Sequence, residues 1–84
     1  MSDQTYDLDV ISPQQIRAAR ALLEWEQVDL AQASGVSKSS VQRTESGSDP
    51  RVSTLARIQS ALESAGIRFI GPDDGGEVGV ILRR

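Results

Sequence analysis

The sequence of 84 residues contains neither cysteine nor histidine. The absence of cysteine excludes disulfides, thiolate metal sites and cysteine nucleophiles. The absence of histidine removes the commonest metal ligand and the commonest general base near neutral pH, so a serine nucleophile would have no histidine to activate it. We therefore expect no catalytic residue, no metal site and no cofactor, and hence a protein that is not an enzyme.

Long apolar segments are also missing. No run approaches the ~20 residues that cross a bilayer, and the first residues lack the basic and then apolar order of a signal peptide. We expect a cytoplasmic protein with no membrane partner, and no feature indicates a small-molecule ligand. The length fits one domain with a small core.

The charge balance is unusual for a protein that binds nucleic acid. Nine basic and twelve acidic residues give a net charge of −3, and the span from Ser12 to Gly66 holds six of each sign. Non-specific affinity for DNA comes mainly from lysine and arginine at the phosphates, so we expect any such affinity to be weak.

Residues 1–11 form an acidic N-terminal arm. Tyr6, Leu8 and Val10 alternate with two aspartates, which is the period of a β-strand. The arm is therefore either a frayed tail or an edge strand that pairs with another segment, and the pattern leaves both open.

Residues 12–66 carry the signals of four helices. The first begins with a capping box of Ser12 and Gln15 around Pro13, and it ends near Glu24. Its inward side chains follow a spacing of three and four residues. These inward residues are Ile16, Ala19 and either Leu22 or Leu23.

The second helix spans about Gln27 to Ser34, with a poor cap at Glu26 and a stop at Gly35. Trp25, just before it, is expected at the edge of the core. The third helix follows the N-cap Ser37 and ends by Gly47. The fourth is expected to be capped by Ser53 and to end at Gly66. Its apolar stripe is Leu55, Ile58, Leu62 and Ala65.

Residues 67–84 change to a period of two and predict a β-hairpin around a turn at 71–76. A lone hairpin is marginal in water, so it must pack on the helices, pair with the arm, or pair with a second copy. Its second strand presents Val78, Val80, Ile81 and Leu82. Because these side chains leave an apolar edge, we expect a twofold-symmetric homodimer in which the hairpin takes part.

The span 27–47 gives the clearest indication of function. Two short helices flank a tight turn at Gly35, and Val41 is the inward residue of the second. The other side chains of that helix are short, polar or basic, and such a helix can enter and read the major groove of B-DNA.

The segment from Ile16 to Gly66 resembles the Cro/repressor (XRE-like) helix-turn-helix family. The matching residues are Arg20, Gln27, Leu30, Ala31, Gly35, Val36, Ser37, Val41, Glu45 and Gly47, followed by the helix of Leu55, Ile58 and Leu62. The resemblance implies a mainly α, lambda-repressor-like bundle of four to five helices, here with a C-terminal β-hairpin. It also implies a transcriptional regulator, usually a repressor, that binds a double-stranded DNA operator as a dimer.

Residue roles follow from the same resemblance. Lys38, Ser39, Gln42 and Arg43 would read bases. Gln27, Ser37, Ser46, Ser48 and Arg51 would bind phosphates. Arg20 and Glu45 would form an ion pair that holds the third helix against the body of the domain.

Glu26 and Thr44 depart from the family pattern. Glu26 places negative charge beside the expected phosphate contact, and Thr44 takes a usually apolar position, where looser packing is expected. The acidity of the chain also leaves an alternative. The protein would then be an interaction module, such as an antitoxin or antiactivator, that keeps the fold without binding DNA.

Overall fold

The computed structural model describes residues 11–48, 51–71 and 76–83. These residues form four helices followed by a two-stranded antiparallel sheet, which confirms the mainly α fold with a C-terminal hairpin. The elements are α1 (Pro13–Leu23), α2 (Gln27–Ser34), α3 (Lys38–Glu45), α4 (Val52–Ser64), β1 (Ile67–Ile70) and β2 (Gly79–Leu82). Residues 1–10 of the acidic arm lie outside the described residues, so both interpretations of the arm stand.

The N-terminus of α1 is closed by the capping box that the sequence predicts. The Ser12 hydroxyl accepts the backbone N–H of Gln15, and Gln15 Oε1 accepts the backbone N–H of Ser12. At the other end, Glu24 adopts the left-handed conformation with φ of 59°, and the Trp25 N–H donates to the Arg20 carbonyl. These contacts satisfy backbone groups that a helix end leaves without partners.

Helices α2 and α3 have the predicted bounds. Gly35 ends α2 with a φ of 77°, a conformation that glycine adopts without steric cost, and its N–H donates to the Ala31 carbonyl. The Ser37 hydroxyl then accepts the Ser40 N–H at the start of α3. At the weaker start of α2, the Asp29 carboxylate accepts the backbone N–H of Glu26.

Helix α4 differs from the prediction at its start. It begins at Val52, so Arg51 is the N-cap residue, no side chain caps the helix, and the predicted cap at Ser53 is wrong. It ends at Ser64 with Ala65 as the C-cap residue, and Gly66 follows with a φ of 108° and donates its N–H to the Glu63 carbonyl, so the predicted stop at Gly66 is confirmed. Within the described ranges, no helix is long and apolar enough to cross a membrane.

The core lies where the four helices and β1 meet. Its buried members are Ile11, Ile16, Ala19, Leu30, Ala31, Val41, Leu55, Ile58, Leu62 and Ile67. Leu23 packs against this core while Leu22 is exposed, which settles the alternative for the inward stripe of α1. Trp25 is half-buried against the same cluster, so its predicted place at the core edge is confirmed.

The hairpin packs on the helices of its own chain, with β1 against α4 and β2 against α1. Its register pairs Ile67 with Leu82 and Ile70 with Gly79. Val80 and Leu82 pack against the core, whereas Val78 precedes β2 and is 55% exposed, so its expected place in the strand is wrong. Part of the apolar surface assigned to a partner molecule is therefore covered within one chain.

Gln15 joins α1 to the end of the hairpin where β1 and β2 adjoin the turn. The residue is only 6% exposed, and its Nε2 atom donates to the carbonyls of Ile70 and Gly79, both at 3.0 Å. The same side chain closes the capping box through its oxygen. One buried amide thus connects the start of α1 to both strands.

We expect Gln15→Ala to lower the free energy of unfolding by about 1–3 kcal/mol, because the substitution removes a buried hydrogen-bonding group from three backbone partners. Urea unfolding followed by circular dichroism measures this loss. Gln14→Ala is the matched control, since Gln14 is the exposed neighbour in the same helix turn. Equal effects of the two substitutions would contradict the role of Gln15.

Candidate nucleic-acid interface

Helix α3 presents a polar surface to solvent and a narrow buried face to the domain. Val41, Thr44 and Glu45 are buried. Lys38, Ser39, Gln42 and Arg43, the residues predicted to read bases, are all exposed on the same two-turn helix. The structure therefore brings these four side chains together on one accessible surface.

Thr44 does not loosen the packing of α3. The residue is 3% exposed, and its hydroxyl donates to the Ser40 carbonyl at 2.7 Å. A buried hydroxyl with a partner avoids the cost of an unsatisfied polar group. The looser packing expected at this position is thus wrong.

Arg20 and Glu45 form a two-pronged ion pair between α1 and the end of α3. Arg20 Nε lies 2.6 Å from Glu45 Oε2, and Arg20 Nη2 donates to Oε1 at 2.9 Å. The remaining guanidinium nitrogen, Nη1, donates to the Trp25 carbonyl at 3.0 Å. Glu45 is 3% exposed, so its carboxylate has little access to water and depends on these donors.

Two further side chains converge on Glu45. Gln27, the first residue of α2, donates from Nε2 to Glu45 Oε1 at 3.1 Å. Arg17, on α1, donates to the Glu45 carbonyl. The C-terminal end of α3 is therefore fixed to α1 and to the start of α2. The sequence does not indicate these contacts of Arg17 and Gln27, because residues that are 28 and 18 positions from Glu45 form no local pattern with it.

The residues predicted to bind phosphates border the exposed surface of α3. Gln27 uses one amide hydrogen for Glu45, and a second remains. Ser37 Oγ donates to Ser40 Oγ at 3.0 Å, and Ser46 Oγ donates to the Arg43 carbonyl at 2.9 Å. Ser48 Oγ lies 3.2 Å from Ser46 Oγ, and Arg51 is exposed just before α4. The hydroxyls of Ser37 and Ser46 must rotate away from these partners to donate to a phosphate.

The electrostatics of this surface are mixed. Lys38, Arg43 and Arg51 are exposed cations on and beside α3, while Glu26 and Asp29 are exposed at the start of α2. The two acids lie next to Gln27 in sequence, and Asp29 caps the backbone there. The positive charge of this surface thus lies along α3 and the start of α4, and the negative charge lies at the start of α2.

The helix-turn-helix family HTH_3 matches residues 16–65, which is well over half of the chain. The protein therefore belongs to the XRE-type helix-turn-helix family of DNA-binding regulators. The matched span includes α1 to α4 except the first turn of α1, and it ends before the hairpin. No curated protein matches the sequence.

We expect Arg20→Ala to lower the free energy of unfolding by about 3 kcal/mol, because the buried Glu45 carboxylate then loses its charged partner. Adding Glu45→Gln to this variant should recover part of the loss, since a neutral amide needs no counter-charge. Chemical denaturation of the two single variants and the double variant measures the coupling energy.

Arg57→Ala is the matched control for Arg20→Ala, because it removes an exposed arginine from the middle of α4. It should leave stability nearly unchanged. If Arg20→Ala cost no more than Arg57→Ala, the ion pair would not hold α3 in place.

Proposed function

We propose that the protein is a sequence-specific transcriptional regulator, acting as a repressor, that binds an operator by placing α3 in the major groove. One observation carries this proposal: α3 exposes a continuous polar and basic surface while its other face is fixed by the Arg20–Glu45 pair. A helix that is both accessible and rigidly held meets the geometric requirement for reading base edges. Membership of a DNA-binding family supports the same function.

In this proposal Lys38, Ser39 and Gln42 read the base edges. Arg43 lies beside them on α3. A lysine suits guanine O6 and N7, a glutamine suits adenine N6 and N7, and serine bonds to either. Gln27, Ser37, Ser46, Ser48 and Arg51 border α3 and bind the sugar-phosphate backbone. These contacts set the orientation of the domain on the duplex without selecting a sequence.

The low number of cations sets the balance between specific and non-specific binding. The span 12–66 has equal numbers of acids and bases, so the phosphate contribution to binding is small. Selectivity for the operator then rests mainly on base contacts and on the simultaneous binding of two half-sites. A repressor of this kind blocks transcription by occupying the operator.

We also infer that the protein binds its operator as a homodimer through the hairpin. Among the described residues, each strand of the sheet pairs only with the other, so each has an unpaired edge. Val78 and Ile81, 55% and 42% exposed, lie on this hairpin. A second copy of the chain that packs on the hairpin would pair a free strand edge and bury Val78 and Ile81 at the same time. Half-sites one helical turn, ~34 Å, apart would then fit the two copies of α3.

A duplex selected from a random DNA library by the full-length protein should bind more tightly than a scrambled duplex. We expect Gln42→Ala to weaken binding to the selected duplex by about 1–3 kcal/mol and to relax the preference at one base pair. Fluorescence anisotropy titrations on the selected duplex and its single-base variants measure both effects.

Gln32→Ala is the control for Gln42→Ala, because Gln32 is an exposed glutamine on α2 that lies beside Trp25 instead of on α3. It should bind the selected duplex as the wild type does. Failure of the wild type to enrich any sequence would contradict the proposal and favour the interaction module without DNA binding.

We expect Ile81→Glu to shift the protein from dimer to monomer in sedimentation equilibrium at micromolar concentration, because a buried unpaired charge opposes association. Val52→Glu places the same charge on an exposed valine of α4 and should leave the dimer intact. A wild-type protein that sediments as a monomer would refute the proposed dimer.

A further inference from the structure

A small polar hollow of about 40 Å³ lies between α3 and the start of α4. We call it the α3–α4 hollow. It is lined by Ser40, Arg43, Thr44, Arg51 and Thr54. Two arginines and three residues with hydroxyl groups thus line one small space, and none of the lining residues is acidic.

The two arginines that line the hollow have no carboxylate partner in the described residues. Within the ranges 11–48, 51–71 and 76–83, the one ion pair is that of Arg20 with Glu45. Among the described residues, the Arg43 guanidinium makes one long contact, from Nη2 to Ser40 Oγ at 3.5 Å. Two like charges that share a space repel each other, so an anion between them would be stabilised by both. Guanidinium groups fit phosphate oxygens particularly well, since two parallel N–H groups can donate at once.

The position of Arg43 on α3 favours a phosphate over a base. Ser40, Arg43 and Thr44 are spaced i, i+3 and i+4, so they share one face of the helix. This row of residues runs from the surface into the domain, because Arg43 is exposed, Ser40 is half-buried and Thr44 is buried. Arg43 therefore lies on the side of α3 that adjoins α4, where Arg51 is located. When α3 occupies the major groove, its sides face the sugar-phosphate walls and its outermost surface faces the bases.

We propose that Arg43 and Arg51 together bind one DNA phosphate in the α3–α4 hollow, and that Arg43 does not read a base. This inference rests on the proposed DNA-binding function and refines it. Sequence reading then belongs to Lys38, Ser39 and Gln42. The hydroxyls of Ser40 and Thr54 supply additional donors at the rim of the hollow.

The test compares the affinity of each variant for the selected duplex and for a scrambled duplex across a range of salt concentrations. We expect Arg43→Ala to weaken binding to both duplexes by the same factor, about tenfold, and to keep the base preferences of the wild type. The slope of log K against log salt should decrease by less than 0.9 in this variant and by about 0.9 when Arg51→Ala is added, because the two arginines together neutralise a single phosphate. Arg51→Ala should behave in the same way, and Arg43→Lys should keep the slope because it keeps the charge.

Replacement of single phosphates by neutral methylphosphonates locates the contact on the DNA. One such replacement should weaken the wild type most, weaken Arg43→Ala and Arg51→Ala less, and cause no further loss in the double variant that lacks both arginines. Arg57→Ala, which removes an arginine outside the hollow, should change neither affinity nor slope.

Three outcomes would overturn the proposal. If Arg43→Ala weakened binding only to the selected duplex and relaxed one base position, Arg43 would be a base reader. If each arginine responded to a different methylphosphonate, the two would not share a phosphate. A wild-type protein that bound neither duplex would instead refute the proposed function itself, a result visible before any variant is compared.

Discussion

The orientation of α3 depends on the buried carboxylate of Glu45. An eight-residue helix with mostly polar side chains does not form stably by itself, and Val41 is the only apolar residue that α3 contributes to the core. The carboxylate is shielded from water, and burying a carboxylate costs free energy unless hydrogen-bond donors surround it. Arg20 supplies two of them from α1, and Gln27 supplies a third from α2. The energetic need of one buried charge thus fixes the exposed helix against two others.

Local features of the fold were predictable because local rules govern them. The capping box at Ser12 and the left-handed Gly35 follow from side-chain chemistry within four residues. The start of α4 was not predictable in this way. Serine is a better cap than arginine, so the rule selects Ser53, yet the helix begins two residues after Pro50 with no side-chain cap. The backbone hydrogen bonds of the helix and the packing of Leu55 in the core outweigh the preference for a start that a side chain caps.

Contacts between distant parts of the chain divide into two kinds. The Arg20–Glu45 pair was accessible from sequence only through the family resemblance, because no spacing rule links residues 25 positions apart. The bonds of Gln15 to the hairpin span 55 and 64 positions, and no pattern indicates them. The alternation of apolar residues likewise predicted the two strands of the hairpin, but it did not predict which face of the hairpin the helices cover. Val80 packs within the chain while Ile81 remains exposed, and only the placement of α1 decides this.

In a DNA-binding domain with few lysines and arginines, the binding of DNA depends strongly on where each of them lies. In a strongly basic domain, scattered lysines attract any duplex, and the margin between operator and random DNA comes from a small part of the total affinity. In the proposed complex the non-specific contribution would be small, so the same base contacts would give a larger share of the binding free energy. The proposed phosphate contact of Arg43 and Arg51 at the side of α3 would serve this balance, since it would set the depth of the helix in the groove. In the proposed complex, the overall acidity of the chain would therefore lower the affinity for arbitrary DNA and make binding more dependent on sequence.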